Sequence, residues 1–72
     1  MYVYEKEMIA NKIKSLYDSN PNIMIRLERK EGLSKKTIRS WIKGKTEPSI
    51  RNLFLISREY NVTMDYFFTK EV

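Results

Sequence analysis

Residues 35–45 read Lys35-Lys36-Thr37-Ile38-Arg39-Ser40-Trp41-Ile42-Lys43-Gly44-Lys45. Ile38, Trp41 and Ile42 fall at i, i+3 and i+4, the spacing of one buried helical stripe. Ser34 stands in front as a candidate N-cap, and Gly44 stands behind as a residue able to enter the left-handed conformation that closes a helix. The run carries five basic residues (Lys35, Lys36, Arg39, Lys43, Lys45) and no acid, so its charge equals the net +5 of the whole chain. A short capped helix with one apolar face and one basic face is suited to meet a polyanion.

The segment before it ends in Gly32-Leu33 and begins at Pro21. The spacing predicts a helix over about 21–30, started by Asn20 with Pro21 at its first position or by Asn22. Ile23 and Leu27 form its expected stripe, with Arg26, Arg29 and Lys30 outward. Gly32 breaks this helix, and Leu33 is expected as a buried plug in the turn. Two helices separated by about four residues containing glycine read as a helix-turn-helix over about 21–44.

Working outward, Ile9, Ile13, Leu16 and Tyr17 recur at helical spacing and predict a first helix from Glu5 to the turn formers at 18–22. Met1–Tyr4 show no periodicity and read as a loose arm. Downstream, Pro48 stops the basic helix, and Ser49 is expected to cap a fourth helix over about 49–60. Ile50, Leu53, Ser57 and Tyr60 form its expected core face. Thr63 is placed to cap a fifth helix, Met64–Phe68. The expectation is an all-α chain of five helices in one domain spanning residues 1–72, with no strand-like alternation and no repeats.

Composition narrows the function. With 72 residues the chain buries only about 60% of the surface it exposes unfolded, so its core must be economical. It has no cysteine and no histidine, which removes disulfides, the commonest metal ligands and the commonest catalytic base. No glycine-rich phosphate loop is present. No enzymatic activity, cofactor, metal or small-molecule ligand is therefore expected. No apolar run approaches the roughly 20 residues of a membrane span, and nothing resembles a signal peptide, so a cytoplasmic protein is expected. The pI near 9.6 favours an acidic partner.

The run Leu27 to Lys45, then Pro48 to Ser57, then Asn61-Val62-Thr63-Met64-Asp65-Tyr66-Phe67-Phe68, resembles the Cro/repressor-type helix-turn-helix family, the lambda-repressor-like regulators. The resemblance covers about residues 8–68. It implies a compact five-helix domain whose third helix enters the major groove of double-stranded DNA. Carried over by position, it implies base contacts from Lys35 and Lys36, with Arg39 and Ser40 one turn on facing the same groove, Thr37 among the DNA-binding residues, and phosphate contacts from Lys43 and Lys45. The sequence departs from the family's pattern in three places. Met24 stands where many members carry a phosphate-binding glutamine, Glu28 where a small residue is usual, and Glu31 where leucine is common. Both carboxylates should then be exposed or paired with a basic neighbour such as Arg29, Lys35 or Arg39, since a buried unpaired charge is costly.

The physical case agrees with the resemblance. A major groove about 12 Å wide admits one helix, and the arginine fork matches the two acceptors of guanine. Lysines are often an ordinary solvated face, but a run without acids on a capped helix argues otherwise. Trp41 at i+3 from Ile38 reads as core and not as a stacking platform. Glu5, Glu7 and Glu59 read as solvated surface. The expected function is a small Cro-like transcriptional repressor of phage or mobile-element type that binds a near-palindromic operator as a homodimer. Because the chain stops just past the fifth helix, no appended sensing domain is expected. Leu55 falls opposite the expected core face of helix four, and with Phe54, Tyr66 and Phe68 it is the expected dimer surface. The alternative is a protein-binding module, an antitoxin or antirepressor, on the same fold.

Overall fold

The computed structural model describes residues 1–70 of the 72. Four α-helices follow one another: α1 (Lys6–Ser19), α2 (Pro21–Glu31), α3 (Lys35–Ile42) and α4 (Ile50–Tyr60). A single 3₁₀ turn, Met64–Phe67, stands where a fifth helix was expected. Thr63 does not cap it through its side chain; the Thr63 carbonyl accepts instead from the Tyr66 amide at 3.1 Å. With i→i+3 bonding the segment is too short to continue, which is the usual fate of such pieces.

The helix boundaries follow from local chemistry. Pro21 opens α2 at a position where its missing N–H is no loss, while Asn20 makes no side-chain cap bond. Ser34 and Ser49 cap α3 and α4, accepting from the amides of Thr37 and Asn52 at 3.1 Å each. Gly32 (φ +69°) ends α2 in the left-handed region, and Asn61 (φ +57°) does the same after α4. The Asn61 turn is reinforced by the Val62 amide donating to the Ser57 carbonyl at 2.9 Å.

One core joins all of these pieces. Ile9, Ile13 and Leu16 of α1 meet Met24 and Leu27 of α2, Ile38 and Trp41 of α3, Leu53, Leu55 and Ile56 of α4, and Phe67. Helix two buries Met24 and Leu27, while Ile23 is only half-buried, so its stripe is turned one residue from the expected register. Met24 therefore serves the core and does not face an anion. Leu33 is half-buried against the core from the turn. The Tyr60 hydroxyl donates to the Asn20 carbonyl at 2.8 Å, tying the end of α4 to the α1–α2 turn, and burial pushes the phenol up to about 12.

Helix four corrects the expected wheel. Leu55 is buried, 5% exposed, whereas Ile50 is 66% exposed and Phe54 is also outside. The cause lies at the end of α2. Arg51, Arg58 and Glu59 flank Leu55 at i−4, i+3 and i+4, and all three form ion pairs with that end. Arg51 and Arg58 approach Glu31 at 4.0 and 3.9 Å, and Glu59 meets Lys30 at 3.1 Å. The end of α2 thus lies over Leu55. Glu31 is paired with basic neighbours as expected, but these are Arg51 and Arg58 of α4 and not Arg29, Lys35 or Arg39. Nor is Glu59 plain solvated surface: the Lys30 ammonium donates to its half-buried carboxylate and holds it below the usual carboxylate range.

The first four residues are not a loose arm. Tyr2 pairs with Thr69 in an antiparallel bridge, the Val3 amide donates to the Phe68 carbonyl at 2.7 Å, and the Lys70 amide donates to Met1 at 2.9 Å. The Tyr4 ring stacks on Phe68 with centroids 5.9 Å apart, and Lys70 reaches Glu5 at 3.3 Å. The sequence of this arm lacks periodicity because its partner is the other end of the chain.

The corrected wheel is testable by urea unfolding. Leu55→Ala should cost about 2–5 kcal/mol, as for other core truncations. Ile50→Ala should stay within about 0.5 kcal/mol. The reverse ranking would show that the exposed and buried faces of α4 are misassigned.

Candidate nucleic-acid interface

Helix three is fixed at both ends and on one face. At its start, the Ser34 hydroxyl accepts from the Thr37 amide and lies 2.8 Å from the Thr37 hydroxyl. At its end, Gly44 takes φ +73°, with the Gly44 amide donating to Trp41 at 3.1 Å and the Lys45 amide to Ser40 at 3.0 Å. That pair of bonds is the Schellman closure. Between the caps, Ile38 (1% exposed) and Trp41 (3%) are sunk in the core. Trp41 is therefore a core residue, as its spacing indicates.

With Ile38 and Trp41 inward and Ile42 packed beside them, the basic positions face out. Lys35, Lys36, Arg39, Ser40, Lys43 and Lys45 line one open concavity of about 530 Å³. Six of the seven residues named from sequence are thus brought together. Thr37, the seventh, spends its hydroxyl on the Ser34 cap. Ser40 is half-buried, and its hydroxyl accepts from Thr46 at 2.8 Å, bracing the loop after the helix. These two hydroxyls act within the protein, a role that side-chain type alone does not reveal.

The five cations share one surface without a carboxylate partner. Among the described residues none of them forms an ion pair, nor do Lys6, Lys12, Arg26 and Arg29, whereas Lys14, Lys30, Arg51, Arg58 and Lys70 do. Lys12 lies over the Tyr66 ring at 4.7 Å. Several cations elsewhere are locally balanced, and the α3 face is left with a concentrated positive field. Glu28 is half-buried beside it, in a small cleft with Tyr17, Ile25, Lys35, Ile38 and Arg39, without an ion pair of its own among the described residues.

Two helices joined by a three-residue turn, the second presenting free cations, match the helix-turn-helix family model over residues 24–67. The chain belongs to the helix-turn-helix family. This is a DNA-binding, non-enzymatic family of the lambda-repressor and Cro type. Neither the curated proteins nor the solved structures contain a match to the chain. The matched span takes in most of α2, the turn, α3, α4 and the 3₁₀ turn. It leaves out the N-terminal arm and α1, whose Ile9, Ile13 and Leu16 join the same core. Among the described residues no helix is long and apolar enough to cross a membrane.

Proposed function

We propose that the protein is a sequence-specific transcriptional regulator, a small Cro-like repressor of phage or mobile-element type. In this reading it places α3 in the major groove of a near-palindromic operator. The observation that carries the reading is one concavity lined by five cations, on and just after a helix capped at both ends, none of them ion-paired among the described residues. Arg39 is exposed in mid-helix, where its planar fork suits guanine N7 and O6. Lys35 and Lys36 occupy the first turn, the part of a recognition helix that goes deepest. Lys43 and Lys45 stand at the far end and hold phosphates, adding affinity without sequence information.

We further propose a homodimer. Leu55 is removed from the expected interface by its burial. Tyr66 is half-buried with Lys12 over its ring, and Phe68 is half-buried under Tyr4. What remains is Phe54, joined by Ile50 at i−4 on the open side of α4. A two-fold pairing there sets the half-sites about 34 Å apart, one turn of DNA. The same exposed pair supports the second reading, a surface that grips a different protein chain.

Selection of bound sequences from random duplex DNA should return a near-palindromic site. Arg39→Ala should cost about 1–3 kcal/mol on that site and flatten preference at one base pair. Lys45→Ala should weaken all duplexes alike and lower the salt slope by about one. Equal loss on every sequence for Arg39→Ala would overturn its assignment to bases, and no enrichment at all would overturn the DNA reading.

By sedimentation, Phe54→Glu should give a folded monomer that binds the operator more weakly. A variant that stays dimeric contradicts the interface. A wild type that is monomeric at high concentration favours a different chain on that patch.

A further inference from the structure

Glu47 is the single acid between Gly32 and Arg58, in a segment that also holds Lys35, Lys36, Arg39, Lys43, Lys45 and Arg51. It lies two residues past Lys45, which lines the basic concavity. Repulsion of phosphate by a carboxylate placed there would offset part of what Lys45 contributes. Yet Glu47 forms no ion pair with Lys45 among the described residues. Its carboxylate instead accepts from the hydroxyl of Tyr4, forty-three positions earlier in the chain. The Tyr4 ring is fixed by stacking on Phe68, and the arm behind it is fixed by the Val3–Phe68 and Met1–Lys70 backbone bonds. Lys6 closes the same contact by donating to the Lys45 carbonyl at 3.4 Å.

We infer that Tyr4 is a positioning residue for the DNA interface: it holds the Glu47 carboxylate turned toward the N-terminal arm and away from the phosphate path at Lys45. This rests on the DNA-binding reading above. The bond also holds the Tyr4 phenol above its ordinary range, since ionising the hydroxyl would remove the proton it donates to Glu47. The N-terminal arm, outside the part of the chain that matches the family, thereby acts on the loop that follows α3.

The test is a double-mutant cycle of binding to duplex DNA, with Tyr4→Phe, Glu47→Gln and the double variant at low and moderate salt. Tyr4→Phe keeps the stacked ring and loses only the hydroxyl. It should weaken binding about threefold at low salt, the size expected for one exposed charge near a phosphate, and less at higher salt. Glu47→Gln should bind at least as tightly as wild type, and adding Tyr4→Phe to it should change nothing. Equal losses from Tyr4→Phe in the wild-type and Glu47→Gln backgrounds would mean that the hydroxyl serves arm stability alone, and the inference fails. No loss in either background overturns it as well. Wild-type binding in the same titrations reports on the DNA reading separately, and its absence overturns both.

Discussion

Everything that distinguishes this surface depends on two side chains pointing the other way. Ile38 and Trp41 are one turn apart on α3 and almost wholly buried, among residues from all three other helices. An apolar side chain fully withdrawn from water contributes about 1.5–3 kcal/mol. In a core this small that anchor also fixes the rotation of α3 about its axis. Once those two positions are inward, Lys35, Lys36, Arg39 and Lys43 have nowhere to go but out. The caps then fix the helix along its length. Ser34 sets where it starts, and the Gly44 closure sets where Lys45 leaves it. The basic face is thus a consequence of apolar packing and needs no attraction among its own members, which repel one another.

That repulsion is tolerable because the charges are exposed and the rest of the molecule is nearly balanced. Lys30, Glu31, Arg51, Arg58 and Glu59 form a network between α2 and α4, on the side of α4 that covers Leu55. Each exposed pair contributes little on its own, about 0–1 kcal/mol. The network matters more for what it spends: it uses cations on the carboxylates of α2 and α4 and leaves those of α3 free. No buried side-chain polar atom among the described residues lacks a partner, so the half-buried Glu28 and Glu31 are tolerated.

Much of this is legible in the sequence wherever one helix carries its own signal. The stripes of α1 and α3, the serine caps, Pro21, and the glycines at 32 and 44 are local features, and they place the helix-turn-helix and six of its seven candidate side chains. The failures share a different cause. Leu55 is buried because α2 arrives over it, and Ile50 is exposed because nothing arrives over it; a helical wheel contains neither fact. Met1–Tyr4 lack periodicity, yet they are ordered by Phe68–Lys70 at the other end of the chain. The last helix is only a 3₁₀ turn, with Phe67 buried and Met64 and Tyr66 packed beside the core, a length that apolar spacing alone does not set. Thr37 and Ser40 carry the right chemistry for a base edge, but their hydroxyls are taken by neighbours that sequence pairing does not announce.

The most direct test of the central claim is lysine acetylation with and without duplex DNA, mapped by mass spectrometry. It reads which ammonium groups the nucleic acid covers. Protection confined to Lys35, Lys36, Lys43 and Lys45, with Lys14 and Lys30 as reactive as in the free protein, is the predicted result. Protection spread evenly over all lysines, or absent from those four, would contradict a DNA interface built on α3.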